Sequence, residues 1–241
     1  MNYLDNFDWE KYNNLVYDSI SFEYFQKKSL EFQSERFFEV YVLEEEKIIY
    51  IPIAKNASTS IINSLNFTSI KFPIIPSSKF CIDIKYLEIP EKYKNGYKFF
   101  TVTRNPKQRW ISGINEFLYS PEHEPIYFDT DKRFCDKFLA ELKNNKFIFD
   151  FHTIPQLTWL SFCFTYDLDL TLLKIDSDLN KKISSMLKKS ITINHDNKMQ
   201  DYTCKINSYD LCQNVFTKYA MNNKNFSDLY EMDFYLYNNS L

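Results

Sequence analysis

The residues best equipped for chemistry fall into two short clusters. In the first, Lys55-Asn56-Ala57-Ser58-Thr59-Ser60 sets one ammonium and three hydroxyls side by side. Groups of these types bind phosphate-like anions and stabilise negative charge as it develops. In the second, Arg104-Asn105-Pro106 is followed by Arg109 and Ser112. A guanidinium suits a phosphate because its planar fork donates two parallel hydrogen bonds. The chain has three histidines, His123, His152 and His195. His123 lies in a proline-bounded acidic loop, with Glu116 one turn ahead of it. Each of these is a candidate proton acceptor by type, whereas His195, between Asn194 and Asp196, reads as a loop-shaping residue.

Both clusters sit where a strand gives way to a helix. Residues 47–53 form an apolar, β-branched run that reads as a buried strand, and Ala54 to Asn56 reads as a tight turn. From Ala57 the apolar positions Ala57, Ile61, Ile62 and Leu65 follow helical spacing, with Asn56 or Ser58 placed to cap. The first N–H groups of such a helix lack internal partners and favour an anion. The loop differs from the triphosphate-binding pattern, whose glycines let the backbone wrap the phosphates. This chain has two glycines, Gly96 and Gly113, and neither is in the loop. A short lysine loop suits a single phosphate bearing one transferable group. The same stretch also reads as an ordinary polar-capped connection. Residues 98–103 repeat the buried-strand pattern, Pro106 fits a first helical position, and Trp110, Ile114, Phe117 and Leu118 mark a buried helix face. Arg104 therefore falls at a strand's C-terminal end, the edge at which parallel α/β sheets bind ligands.

The remaining elements are read more coarsely. Residues 1–35 look like a helical lead-in, and 37–43 like a strand that forms a hairpin with 47–53. Residues 66–97 look irregular apart from a short strand at 80–84. A third core strand is expected at 170–175, helices at 132–142, 179–188, 208–220 and 225–230, and an apolar helix-like segment after Gln156 through Trp159. One domain over residues 1–241 is expected from the length.

Composition sets limits. With 44% hydrophobic and 25% charged residues the chain reads as soluble and globular, and a net charge of −3 argues against a general nucleic-acid binder. No signal pattern opens the sequence, and no apolar run approaches a membrane span. The five cysteines are scattered without a Cys-x-x-Cys pair. That argues against a metal or disulfide framework and for a cytoplasmic setting.

With both units in view, the chain resembles the PAPS-dependent sulfotransferases, nearest their carbohydrate branch, over roughly residues 47–237. PAPS is 3′-phosphoadenosine 5′-phosphosulfate. Residues 54–60 stand where that family has its 5′-phosphosulfate loop, although Ala54 replaces a frequent proline. Arg104-Asn105-Pro106, Arg109 and Ser112 stand where it has its 3′-phosphate motif. Asp150-Phe151-His152 with Pro155-Gln156 resembles its Asp-x-His-x-x-Pro-Gln segment, and Tyr230 to Phe234 its closing Tyr-x-x-Asp-Phe.

The resemblance implies a P-loop-like three-layer α/β fold with a central, mostly parallel sheet flanked by helices. It implies PAPS as co-substrate, no metal, and a hydroxyl acceptor that is a carbohydrate or glycolipid. Lys55 with Asn56, Ala57, Ser58, Thr59 and Ser60 would hold the phosphosulfate, and Arg104 and Ser112 the 3′-phosphate. His152 is the first candidate base, ahead of His123 and Glu116. Two rivals stand beside this reading: a P-loop small-molecule kinase, with Asp176 as its acidic metal partner, and a non-catalytic nucleotide-binding module.

Overall fold

Buried residues alternate with less buried ones from Phe37 to Val42, and three glutamates then turn the chain into a second apolar run. This stretch folds as the expected hairpin, with Tyr41 opposite Tyr50 and Leu43 opposite Ile48. The computed structural model describes residues 4, 7–22, 24, 37–74, 87–119, 132–193 and 206–241. Along these the elements run α1 (Trp9–Asp18), β1 (Phe37–Leu43), β2 (Ile48–Tyr50), α2 (Ser58–Ser64), β3 (Thr68–Pro73) and α3 (Glu91–Gly96). There follow β4 (Lys98–Thr103), α4 (Pro106–Tyr119), α5 (Lys132–Lys143), α6 (Gln156–Thr165), β5 (Leu170–Lys174), α7 (Leu179–Leu187), α8 (Ile206–Tyr219) and α9 (Lys224–Asn238). The expected strand at 80–84 lies outside the described residues, as do His123 and His195.

The chain divides into two compact units, each assembled from three segments. The sheet unit comprises Phe32–Asn105, Gln156–Lys198 and Asp233–Leu241; the helical unit comprises Met1–Glu31, Pro106–Pro155 and Met199–Met232.

All five described strands lie in the sheet unit, in the order β3-β1-β2-β4-β5. β1 is antiparallel to both β2 and β3, while β2, β4 and β5 pair in parallel. Four of the five strands thus point the same way and β1 alone opposes them. Side chains alternate between the two faces of a strand, and the packing follows. Leu43, Ile48, Tyr50, Phe100, Val102 and Leu173 pack on Ile61 of α2, on Leu65 just after it, and on Leu179, Ile183 and Leu187 of α7. From the opposite face Phe38 meets Trp159 and Phe162 of α6, at ring separations of 6.1 and 5.5 Å. The sheet is therefore mixed, with helices against both faces.

The stretch read as irregular contains β3 and α3. β3 is an edge strand whose outward residues are Thr, Ser and Lys, and an edge position accepts Pro73 at its end. Such a strand lacks the apolar alternation that reveals a half-buried one.

The helical unit is built on aromatic rings. Trp110 meets Phe216 and Phe226, Phe147 meets Phe226, and Phe138 meets Phe117 and Phe149, all with centroids between 4.8 and 6.2 Å. Among the described residues no helix is long and apolar enough to cross a membrane.

Candidate functional site

The loop after β2 takes its shape from unusual backbone angles. Lys55 has φ 67° and Ala57 φ 60°, both in the left-handed region that glycine usually fills. Each non-glycine residue held there costs roughly 1–2 kcal/mol. Left-handed residues set among right-handed ones turn successive N–H groups towards one side, the backbone form of an anion-binding nest. Ala57 is the N-cap of α2, and no side-chain hydrogen bond caps it. The expectation that Asn56 or Ser58 would cap is therefore corrected: Asn56 is fully buried and its side chain is used elsewhere. Nor do the three hydroxyls share one environment, since Ser60 is buried, Ser58 half-buried and Thr59 exposed. Successive residues on a helix point about 100° apart, so three in a row cannot face one point.

What holds the strained turn is a set of amides at the C-terminal edge of β2 and β4. Pairing continues past β2, with the Ile51 N–H donating to Phe100 O at 2.9 Å and the Thr101 hydroxyl to Ile51 O at 2.8 Å. Asn56 Nδ2 donates to Val102 O at 2.7 Å and to Gln156 Oε1 at 2.6 Å. Its Oδ1 has no partner among the described residues. A buried acceptor left dry costs about 1–3 kcal/mol. Arg104, half-buried just beyond β4, donates from Nη1 to Lys55 O at 3.1 Å. The sequence-predicted lysine and arginine are thus brought together through the backbone of the lysine itself.

Gln156 is the hub of this cluster. Its Oε1 also accepts from Arg104 N at 2.9 Å, and its Nε2 donates to Arg104 O at 2.9 Å. Gln156 starts α6, and Asp233 caps that helix by accepting from Gln156 N (2.6 Å) and Leu157 N (2.8 Å). Two weakly informative motif patches, Pro155-Gln156 and Tyr230 to Phe234, therefore contribute residues to one polar network. Its hydrogen-bonding partners lie 46 to 100 residues apart.

The helical unit carries the second cluster. His152 Nδ1 lies 2.8 Å from Asp150 Oδ2, and His152 N donates to Asp150 Oδ1 at 2.9 Å. The Asp150 carboxylate is fully buried and the His152 side chain 14% exposed. With Nδ1 donating to the carboxylate, Nε2 is the ring nitrogen left to accept a proton. The turn closes on Thr153, whose hydroxyl accepts from Phe149 N and donates to Asp150 O, both at 2.9 Å.

Helix α4 fixes this turn from both ends. Trp110 Nε1 donates to Phe147 O at 2.9 Å and Arg109 Nη1 to Ile154 O at 2.5 Å. Between them, a Cβ added at Gly113 would lie 2.6 Å from His152 O. Only glycine permits that approach. Arg109 is 1% exposed and Ser112 5% exposed, so the arginine is a buried anchor of the turn. Glu116 is half-buried one turn after Ser112.

Outside the two clusters, the Asp176 carboxylate is engaged by Lys182 Nζ at 2.5 Å and by Asp178 N at 3.0 Å. The hydrogen bond from Lys182 holds its pKa below the usual carboxylate range. Burial pushes the Cys163 thiol up and the Cys212 thiol up to about 12, which leaves neither a ready nucleophile. Among the described residues no three His, Cys, Asp or Glu side chains gather as a metal-ligand set. No family model, curated protein or solved structure matches the chain.

Proposed function

We propose that this chain is a sulfotransferase on a P-loop-like scaffold, moving the sulfuryl group of PAPS to a hydroxyl of a carbohydrate or glycolipid. One observation carries the reading: a strained, glycine-free lysine turn linked by hydrogen bonding to Arg104 at the C-terminal edge of two parallel strands. Strain of this kind persists where surrounding structure over-determines it, as at ligand clamps.

The reaction is an in-line displacement, by analogy with loose phosphoryl transfer. The acceptor oxygen bonds to sulfur while the bond from sulfur to the 5′-phosphate oxygen breaks, and 3′,5′-ADP departs. Charge grows on the departing oxygen, where the Lys55 ammonium and the loop N–H groups stabilise it. On the resemblance alone, His152 is the residue that would take the acceptor proton at Nε2, with Asp150 supporting the imidazolium that forms. Arg104 would hold the 3′-phosphate, which suits the two parallel hydrogen bonds of a guanidinium. Ser112, buried on α4, belongs to that phosphate on the resemblance alone. Glu116 is the alternative base.

The kinase rival is the weaker one, because the carboxylate it would use at Asp176 already has Lys182 and an amide as partners. The scattered cysteines support a cytoplasmic setting. The test is transfer of labelled sulfate from PAPS to a panel of sugars and glycolipids. Transfer to any of them supports the reading. Phosphorylation from ATP with magnesium, or nucleotide binding without transfer, replaces it with one of the two rivals.

A further inference from the structure

We infer that Gln156 is a positioning residue that fixes Arg104 and the Lys55 turn in one register, without itself touching a ligand. For the choice of ligand the inference rests on the sulfotransferase reading. β4 ends at Thr103, so Arg104 lies one residue beyond the strand. The primary carboxamide of Gln156 takes over there, accepting from Arg104 N and donating to Arg104 O, each at 2.9 Å. A strand neighbour would pair the residue in the same sense. Oε1 uses its second lone pair on Asn56 Nδ2, at 2.6 Å. One oxygen therefore joins the residue between the two left-handed positions to the residue that carries the guanidinium. Gln156 is fully buried, and Asp233 holds its own N–H at 2.6 Å. The hub is anchored from a third segment.

This arrangement explains why the Lys55 turn tolerates strain without glycine. The amide network holds the left-handed residues in place, and Gln156 is the member common to both loops. Removing it releases the Arg104 backbone and leaves the Asn56 side chain with Val102 O alone. The distance between ammonium and guanidinium is then no longer set.

The probe is 3′,5′-ADP, titrated calorimetrically into wild type, Gln156→Met, Arg104→Ala and the double variant, with melting temperatures alongside. Methionine matches glutamine in length but has no amide. Gln156→Met is expected to weaken binding about tenfold, the effect of unpairing a buried polar group. On the Arg104→Ala background it should weaken binding much less, because the group it positions is gone. The effects on melting temperature should add. Full additivity in affinity, or lower melting temperature with affinity unchanged, would make Gln156 a merely structural residue and overturn the inference.

Amide hydrogen exchange on the unliganded chain separates this inference from the function it rests on. Gln156→Met should release the Arg104 amide, which donates to Gln156 Oε1, while residues 98–103 stay protected. Unchanged protection at Arg104 overturns the inference whatever the ligand result. If wild type does not bind 3′,5′-ADP, the sulfotransferase reading fails and exchange alone decides the role of Gln156. Should Gln156→Met not fold, Gln156→Glu, which keeps the shared acceptor and loses the donor, takes its place in both measurements.

Discussion

The Lys55 turn and the His152 turn reach similar ends by different means. In the sheet unit, position is set by hydrogen bonds: a strained loop is held by Asn56, Gln156 and Arg104, with Asp233 behind them. In the helical unit, position depends also on close packing: the Asp150–His152 turn rests against Gly113 within a bed of aromatic rings. The first turn should tolerate changes of volume better than changes of hydrogen-bonding chemistry. The second should show the reverse. On the proposed reading, charged groups that grip an anion profit from a polar scaffold. A single imidazole whose ring must be aimed profits from a rigid apolar one.

The largest expected effect breaks the chemistry of the first turn. Lys55→Ala should lower the transfer rate by several powers of ten, and a steady-state rate near wild type would remove Lys55 from the scheme. Next comes the second turn's imidazole. His152→Ala should lose about 10²–10⁴ in rate, together with the limb of the pH–rate profile that rises with pH. Persistence of that limb would transfer the role of base to Glu116.

Smaller effects sharpen the contrast. Gly113→Ala gains helix propensity of about 1 kcal/mol. The clash with His152 O exceeds that gain, so the net expectation is a loss of about 1–3 kcal/mol in urea unfolding. Stability equal to wild type would show that the turn is not packed as described. Ala57→Gly should raise stability by up to about 1 kcal/mol, because it relieves a left-handed alanine; a clear loss would mean that Ala57 is unstrained.

The smallest effect belongs to a surface pair outside both clusters. The carboxyl of Asp176 is held below its ordinary range chiefly by Lys182. Its contribution is therefore present above the unfolded-state value and is lost as pH falls through the folded one. Asp176→Asn should cost roughly 0.5 kcal/mol or less at neutral pH and nothing in strong acid. A larger loss at neutral pH, or one that persists in acid, would show the pair to be more than a surface contact.

The sequence exposed the strand-to-helix connections and the charged residues because both announce themselves locally. An apolar run ending in Lys55 or Arg104 is visible within a dozen residues. The hairpin, β4, β5 and most helices were legible for the same reason. β3 was not, since an edge strand of Thr, Ser and Lys carries no alternation to read. The cap on α2 was misread because Asn56, a good capping residue by type, is drawn to Val102 and Gln156 by partners distant in sequence. Gln156, Asp233 and Gly113 were visible as letters, yet their work depends on contacts 39 to 100 residues away. A glycine in the interior of an amphipathic helix was the one local hint that something approaches closely there.

The central claim is that the ammonium of Lys55 and the guanidinium of Arg104 serve one bisphosphorylated adenosine. Calorimetric titration of 3′,5′-ADP in the presence of EDTA addresses it most directly, with wild type compared against Lys55→Ala and Arg104→Ala. The account predicts micromolar or tighter binding that needs no divalent cation and weakens in both variants. Absence of binding at millimolar ligand, or binding indifferent to both substitutions, would contradict it.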